Sequence, residues 1–571
     1  TDDEKRPSLR KGARPPLEFN KITNWNNPPE KNSDSAESTD DIANETAKYF
    51  AHLGAKRERT AETETAAKKM LDLLGNRTVN ETTSNNCGKD ITQDEIEQTC
   101  VNLPTEKSPG PDRIPNEFYK VFAKLLSPLL ARFYNDARRS KKLPKGFNDG
   151  IVVILYEKGN RRDVRNYRPI TLLNSDYKIM TRILAKRMLS IVTQFVSDNQ
   201  IGFVPYTFIA ESAMLVKLIQ AHLDKIDDGG ILVFCDLEKA FDRCDWNYLN
   251  KAIDRLKFTE SHKSWFNLLY NEKQPPSRKA YVNGKLSRKY TVSVGVAQGC
   301  PLSPLTFLVI IESLTRLIDN DDRIQGLDLG GTVLKSRSFA DDTWWFQRSH
   351  AEESHYGEHM KTFALGTNQV ENETKREKLP VGNFTKKRIE DLPGRSENYT
   401  KQGEWLISLG IPLGNGFSEF AFWKALYEKA KSHLCKVSHL NSMSIVGRHR
   451  ILNANFYGRF RYWLWSLELN KEVDSWIISD AKSFLWTKNP EMEPTEKGSS
   501  KRIGKWINQA ATPLPIKKGG GGVMNWKMHC ASFPAMWIFK LISPREALWR
   551  VLVQGWLREG NFRCTDIFQN L

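Results

Sequence analysis

Three aspartates are candidate metal ligands because each one ends or interrupts an apolar segment. Asp341 and Asp342 are adjacent in SFADDTWWF (338–346), where their carboxylates repel each other and unpaired burial of either would be costly. The apolar run ILVFCDLEKAFD (231–242) places Asp236 at the end of a strand-like segment. Divalent cations between carboxylates of neighbouring elements relieve such repulsion and serve phosphoryl and nucleotidyl transfer. For any one of the three acids alone, a turn or helix cap is the alternative interpretation.

The elements around these acids predict an α+β fold. Between 231 and 346 the strand ILVFCDL, the helix WNYLNKAIDRL, a strand pair beginning at KAYVNG, an apolar helix from SPLTF and the hairpin with SFADDTWWF follow one another. This order predicts an antiparallel sheet with helices on one face. A strand is predicted over 150–156 and a basic helix over 175–196, whereas 347–404 is polar and irregular. One helical stretch over 40–74 has sparse apolar positions and indicates a partly ordered lead-in.

Composition favours a polyanionic partner and argues against several other classes of protein. The chain has 85 Lys and Arg residues against 68 Asp and Glu residues, so its formal net charge is +17. This charge favours nucleic acid as a partner, although a solvated basic surface would have the same composition. The 8 cysteines form no C-x-x-C pair, so no disulfide framework or Cys-based zinc site is predicted. No apolar run approaches membrane-spanning length. The chain begins at Thr1 rather than Met, so a fragment or processed piece is expected.

An ordered set of motifs resembles the reverse transcriptases of eukaryotic non-LTR (LINE-type) retrotransposons. The motifs are RNYRPITLLNSDYKIMTRILAKRM (165–188), LEKAFD (237–242), VAQGCPLSPLTFLVIIESL (296–314) and SFADDT (338–343). SPGPDRIPNEFYK resembles the extension before the fingers of that family, LGIPLG its primer-grip strand and PLPIKKGGGGV a stretch after its thumb. The resemblance covers roughly residues 100–545 and implies a right-hand polymerase architecture with an antiparallel palm sheet and a helical thumb.

The resemblance also implies a division of the chain into domains. The expected divisions are a polar, partly ordered N-terminal extension (1–85), fingers with the N-terminal extension motif (86–230), a palm with the catalytic aspartates (231–346), a palm continuation with a variable segment and the primer grip (347–416), a helical thumb (417–490) and a C-terminal segment (491–571). A linker is expected over 489–504, where Pro, Gly, Ser and charged residues concentrate.

The resemblance assigns the aspartates to catalysis and to metal binding. Asp236 and Asp341 match the two principal metal-binding aspartates of the family, and Asp342 matches their less directly coordinating neighbour. Two Mg²⁺ ions are the implied cofactors, with Mn²⁺ as a substitute. Asp242 follows the position that faces the sugar and is expected to be a structural cap.

The same resemblance supplies the substrate-binding residues. Phe241 matches an aromatic steric gate that excludes a ribose 2′-hydroxyl, with core packing as the alternative. Gln298 and Gly299 match the loop beneath the incoming nucleotide, where glycine permits close backbone approach. Arg168 matches a fingers residue near the triphosphate, and the implied companions of that residue are Arg165 and Lys158.

Departures from the family pattern support a competing hypothesis. Tyr206–Thr207 stands where the family has Gly-Arg, and Glu157 occupies a typically basic position near the nucleotide phosphates. The segment 363–382 only loosely resembles the one that carries a lysine near the nucleotide, for which Lys375 and Lys378 are both candidates. These departures favour a degenerate, catalytically inactive copy that retains RNA binding only. The sequence also shows neither the upstream endonuclease nor the terminal Cys/His knuckle of the family, so a truncated open reading frame or a degenerate genomic copy is expected.

The leading hypothesis is an RNA-directed DNA polymerase that extends a DNA 3′-hydroxyl on an RNA template during non-LTR retrotransposition. The implied partners are the RNA template, a DNA primer or target DNA and deoxynucleoside triphosphates, with no membrane. An RNA-dependent RNA polymerase is a third possibility, disfavoured by the bulk of Phe241. The family implies action in the nucleus, with some protein in the cytoplasm together with RNA.

Overall fold

A computed structural model describes residues 22–23, 35–36, 38–387, 392, 398–438, 443–486, 512–518, 520–542 and 547–558. The predicted linker at 489–504 lies outside the described residues, as do most of 1–37 and the last residues of the chain. Helices and strands are mixed along the rest of the sequence, as the sequence predicts for an α+β protein.

The strands have the following bounds: β1 Ile22–Thr23, β2 Ser35–Ala36, β3 Gly150–Tyr156, β4 Tyr167–Leu173, β5 Gly229–Cys235, β6 Ser277–Val282, β7 Lys285–Leu286, β8 Tyr290–Thr291, β9 Leu327–Asp328, β10 Val333–Leu334, β11 Ser336–Phe339, β12 Asp342–Gln347, β13 Glu377–Gly382, β14 Leu406–Ser408 and β15 Ile411–Leu413.

The α-helices are α1 Thr39–Leu53, α2 Ala61–Leu74, α3 Glu81–Gly88, α4 Gln93–Val101, α5 Asn116–Val121, α6 Ala123–Ser140, α7 Ser175–Met188, α8 Val192–Phe195, α9 Ala210–Lys225, α10 Trp246–Arg255, α11 Glu260–Leu269, α12 Ser303–Asp319, α13 His350–Thr367, α14 Glu419–Ser438, α15 Ile445–Ile451, α16 Lys471–Trp486, α17 Trp526–Ile542 and α18 Leu548–Arg558. Among the described residues, none of these helices combines the length and apolar character that crossing a bilayer requires.

The central sheet is antiparallel and has the strand order β11–β12–β5–β13. Every residue of β5 is buried, which explains why its sequence is a continuous apolar run rather than an alternating one. Helix α9 packs against β13, and helix α12 packs against β11. The sheet therefore anchors both the strand that ends before Asp236 and the hairpin that carries the paired acids.

The region 347–404 contains regular structure that the sequence did not predict. Helix α13 buries Tyr356, Met360 and Phe363 on one face. Most of its other residues are polar, so its sequence shows only a weak helical periodicity of apolar residues. Strand β13 pairs with β5 from Glu377 to Gly382 and has no alternating pattern of its own. Both elements are stabilised by contacts with residues distant in sequence. Because the local sequence pattern does not contain these contacts, it predicts irregular structure for this region.

The strand pair after α10 belongs to a second sheet, in contrast to the single sheet predicted over 231–346. Its order is β4–β3–β6–β7, with β8 also paired to β6, and β3 and β6 run parallel. The predicted helix over 175–196 is likewise divided, because α7 ends at Met188 and α8 begins at Val192.

Residues 39–74 form two helices instead of one partly ordered stretch. The Gly54 N–H donates to the Phe50 carbonyl at 3.0 Å at the end of α1, and Thr60 forms a capping box with Thr63 at the start of α2. Ile42 is buried against β6, and α2 packs on α12 and α13. A few apolar positions suffice here because each one meets the core of the protein.

Candidate active site

Strand pairing brings the three aspartates to one edge of the central sheet. Thr343 of β12 is paired with Cys235 of β5, so one residue further along, Asp342 and Asp236 are next to each other. Asp341 lies in the two-residue turn between β11 and β12. The local sequence places each acid at a strand end, and the antiparallel register places those ends together.

A buried glutamine holds the turn that carries Asp341. Gln200, which is 2% exposed, accepts hydrogen bonds through Oε1 from the Ala340 N–H at 2.8 Å and from the Gly202 N–H at 2.7 Å. Ala340 has a φ of +56°, a conformation that costs energy for a residue with a Cβ. A Cβ on Gly202 would lie 2.2 Å from the Ala340 nitrogen, so only glycine fits there. Sequence reasoning did not single out Gln200, because its contact depends on residues 140 positions away.

The electrostatics of the acids favour a cation. Desolvation of its carboxylate, together with repulsion from Asp341 and Asp236, raises the pKa of Asp342 to about 7, although the residue as a whole is exposed. Burial also raises the pKa of Asp341, with a further contribution from Asp236. The Lys375 ammonium contacts Asp236 Oδ2 and is the internal cation of this group. Crowded carboxylates that already attract one cation have the chemistry of a Mg²⁺ or Mn²⁺ site.

The candidate metal ligands are not gathered in advance. Within the described ranges, no three Asp, Glu, His or Cys side chains lie close enough together to form a ready-made metal site. The oxygen donors therefore fit a hard divalent cation by their chemistry, and they would have to close around it on binding.

All nine predicted site residues line one cleft of about 500 Å³. They are Lys158, Arg165, Arg168, Asp236, Phe241, Gln298, Gly299, Asp341 and Asp342. The cleft wall also includes Lys239 and Lys375. The sequence alone left Lys375 and Lys378 as alternatives, and the structure separates them, because Lys378 is buried and paired with Glu353 at 3.0 Å. The chemical roles of the nine residues stay predictions.

The floor of the cleft is built from packed and hydrogen-bonded residues. Phe241 stacks on Phe307 with ring centroids 5.0 Å apart, so it contributes to core packing as well as to the cleft surface. Gln298 donates from Nε2 to Asp242 at 3.1 Å, and burial raises the pKa of Asp242 to about 7. Asp242 is therefore not the expected cap; the cap of α10 is Asp245, whose carboxylate accepts from the Tyr248 N–H at 2.8 Å.

The backbone conformation and the close neighbours of Gly299 require glycine at this position, independently of any bound nucleotide. Its φ is +128°, and an added Cβ would lie 2.4 Å from the Thr171 carbonyl oxygen. The neighbouring Gln298 carbonyl accepts from the Thr171 N–H at 2.7 Å. Close approach to strand β4 is thus a sufficient reason for glycine at this position.

The predicted phosphate-binding cations are engaged with acids. Arg165 forms a two-pronged pair with Asp163, with nitrogen–oxygen distances of 2.7 and 3.0 Å. Arg168 Nε donates to Glu157 at 2.7 Å, and Lys239 Nζ lies 3.5 Å from the other oxygen of Glu157. Glu157, which occupies a position that is typically basic in the family, is therefore paired with a cation through each of its two oxygens.

A second cleft of about 470 Å³ shares Lys158, Asp236, Asp342 and Lys375 with the first and extends to the β14–β15 hairpin. Leu409 and Gly410 form the tip of this hairpin, both with positive φ, as a two-residue turn of this kind requires. Tyr462 donates to the Leu409 carbonyl, and Trp463 Nε1 donates to the Gly410 carbonyl at 2.9 Å. Side chains from the predicted thumb therefore hold the predicted primer grip.

The departure at Tyr206–Thr207 has a visible backbone cost. Tyr206 is 88% exposed and has a φ of +65°, so a glycine would be more stable at this position. The Thr207 hydroxyl donates to the Ile201 carbonyl at 2.6 Å and holds the same loop. The Thr207 hydroxyl also donates to the Val204 carbonyl at 2.7 Å, so two hydrogen bonds of one side chain stabilise the loop.

Comparison with known proteins decides the class of the domain. A family model described as reverse transcriptase (RNA-dependent DNA polymerase) matches residues 156–390, which include every residue named in the first cleft. Residues 156–390 therefore match a reverse transcriptase domain, which has the right-hand polymerase fold. The description of the family model names RNA-dependent DNA polymerase as the activity of that family.

The relatives of this reverse transcriptase domain come from non-LTR retrotransposons. The uncharacterized 149 kDa protein of transposon TX1 from Xenopus laevis is 25% identical over 82% of this chain and 34% of its own length. The probable RNA-directed DNA polymerase from transposon BS of Drosophila melanogaster is 28% identical over 40% of this chain and 25% of its own length. The RNA-directed DNA polymerase from mobile element jockey of the same species is 25% identical over 39% and 24%. The chain thus spans about a third or less of these relatives.

Proposed function

We propose that this chain is the polymerase part of a non-LTR retrotransposon protein and that it extends a DNA 3′-hydroxyl along an RNA template. The observation that carries the proposal is the register that sets Asp236 beside Asp342, with Asp341 in the adjoining turn, at a cleft lined by lysines and arginines. The substrates are deoxynucleoside triphosphates, and each addition releases pyrophosphate.

Each part of the cleft has a proposed task in this reaction. Arg168 and Lys158 bind the triphosphate, and Phe241 lies where a ribose 2′-hydroxyl would have to fit. The second cleft, between Asp342 and the hairpin tip at Leu409, accepts the primer end. The template and the primer are polyanions, and the net charge of +17 favours binding of both.

We assign the metal-binding role to Asp236, Asp341 and Asp342, which would hold two Mg²⁺ ions or Mn²⁺ in their place. Bound Mg²⁺ supplies a lowered pKa for the primer hydroxyl and charge neutralisation for the triphosphate. Gln200 keeps Asp341 at the cleft by holding its turn. We also propose that the protein acts in the nucleus, where a chromosomal DNA end would serve as primer.

Primer extension on an RNA template tests the proposal. We expect the wild-type chain to incorporate deoxynucleotides with Mg²⁺ and the Asp341→Asn variant to lose activity by about 10³-fold or more, because it removes a ligand charge. Asp322→Asn, at an exposed acid outside both clefts, is the matched control and should retain wild-type activity.

Two results would replace the proposal with one of its alternatives. Salt-dependent RNA binding by a wild-type chain that incorporates no nucleotide would identify an inactive copy. Incorporation of ribonucleotides as readily as deoxynucleotides would identify an RNA polymerase, because the ring of Phe241 would then exclude nothing.

A further inference from the structure

Glu157 bridges two cations on the wall of the catalytic cleft. One carboxylate oxygen accepts from Arg168 Nε at 2.7 Å, and the other lies 3.5 Å from Lys239 Nζ. Lys239 is held in place by a second hydrogen bond to the Tyr167 carbonyl at 2.6 Å. Burial alone would raise the pKa of Glu157, but Lys239 and Arg168 outweigh it and hold that pKa below its usual range. The carboxylate is therefore ionised at neutral pH.

The cleft as a whole is balanced in charge. Five acidic side chains and five basic side chains line it. Three of the basic side chains (Arg168, Lys239 and Lys375) are engaged with acids of the same wall, and Arg165 is engaged with Asp163. A polyphosphate that enters this cleft can reach Arg168 and Lys239 fully only if it replaces the oxygens of Glu157.

We propose that Glu157 is an internal anion that occupies the place of a substrate phosphate and is displaced by the triphosphate of the incoming nucleotide or by pyrophosphate. This inference rests on the proposed function and deepens it. Glu157 holds Arg168 and Lys239 in place on the cleft wall, and it weakens the binding of polyphosphate because it must first be released.

The sign of the effect follows from charge. Glu157, Lys158, Arg165, Arg168 and Lys239 together carry three net positive charges, and removal of the carboxylate charge leaves four. Glutamine has the same shape as glutamate and still offers an oxygen to Arg168, but it binds a guanidinium or ammonium less strongly than a carboxylate does. A Glu157→Gln chain should therefore bind polyphosphate more tightly, and the gain should shrink as salt increases.

The experiment is calorimetric titration of the full chain with inorganic pyrophosphate in the presence of Mg²⁺. We expect Glu157→Gln to lower the dissociation constant by about 3- to 10-fold, the range expected for loss of one or two partly exposed ion pairs. The matched control is Glu238→Gln, which removes the same charge from the same cleft wall but from an acid that pairs with Arg243 at 3.1 Å. The control should change the dissociation constant by less than about twofold.

Unchanged or weaker pyrophosphate binding by Glu157→Gln would overturn the inference, and so would an equal gain in Glu238→Gln. If Glu157→Gln does not fold, Glu157→Asp replaces it: the shorter acid cannot reach both cations and should give a smaller gain, and no gain would overturn the inference. Because pyrophosphate binding is measured without primer or template, a chain that shows this pattern but extends no primer would refute the proposed function alone.

Discussion

Replacing Gln200 should displace the catalytic turn without removing any group from the cleft. Oε1 of Gln200 accepts from two backbone N–H groups, of Ala340 and Gly202, and its Nε2 donates to the Ala340 carbonyl at 3.4 Å. Leucine at position 200 has a similar volume but no polar atom. Gln200→Leu therefore leaves two buried N–H groups without their acceptor.

The size of the effect follows from these two groups. A buried donor without a partner costs about 1–3 kcal/mol, so two of them cost about 2–6 kcal/mol in free energy of unfolding if the turn does not move. If it does move, Ala340 leaves its positive φ and Asp341 moves with it. A displacement of about 1 Å at a reacting group lowers the rate by about 10²-fold. The loss therefore appears in stability, in kcat or in both.

Urea denaturation and primer extension measure the two effects, and the same hairpin offers a matched control. Gln347, at the far end of β12, is 0% exposed, and neither its Oε1 nor its Nε2 has a hydrogen-bond partner among the described residues. Gln347→Leu should therefore be neutral or stabilising and should leave kcat unchanged. The same chemical substitution is thus expected to impair the protein at Gln200, which contacts the hairpin from a distant loop, and to be harmless at Gln347, which lies on the hairpin itself.

The outcome that refutes this reasoning is specific. If Gln200→Leu unfolds at the wild-type urea concentration and keeps the wild-type kcat, Gln200 does not hold the turn. If Gln347→Leu lowers kcat as much as Gln200→Leu does, the loss comes from replacing any buried polar side chain near the hairpin and not from the hydrogen bonds of Gln200. A fall in kcat with an unchanged KM for nucleotide is the expected pattern, because Gln200 contacts the turn and not the nucleotide-binding wall.

Three further predictions concern the cleft and the core. Lys375→Met removes the ammonium from Asp236 and should tighten Mn²⁺ binding by roughly 3- to 10-fold in electron paramagnetic resonance titrations; weaker binding would contradict the role of Lys375 as a competing cation. Phe241→Ala should lower the preference for deoxynucleotides over ribonucleotides by at least about tenfold, measured as the ratio of kcat/KM values, and an unchanged ratio would leave only packing on Phe307. Burial raises the pKa of Glu312 to about 7, so the folded chain holds a proton that the unfolded chain releases above about pH 4.3, and the free energy of unfolding should fall as pH rises from about 4 to 7. Glu312→Gln should reduce that fall in urea denaturation at pH 5 and pH 8, and an equally steep fall would assign it to other groups.

Local patterns predicted much of the scaffold. The strand over GIVVILY and the apolar strand before Asp236 are present within two residues of their expected positions. The hairpin that carries Asp341 is also present, since its turn and both flanking strands are adjacent in sequence. Elements whose stability depends on distant partners were missed: β13 needs β5, and the division of 40–74 into two helices depends on caps and on contacts with β6 and α12.

The sequence by itself determined which side chains can do chemistry, because the identity and spacing of Asp236, Asp341 and Asp342 do not depend on folding. Only the tertiary structure decided how those side chains are engaged. It chose Lys375 over Lys378, paired Glu157 with two cations and placed Gln200 under the turn. The physical reason is range: helix and strand periodicity act over a few residues, whereas a salt bridge or a buried hydrogen bond joins residues that the chain brings together only when it folds.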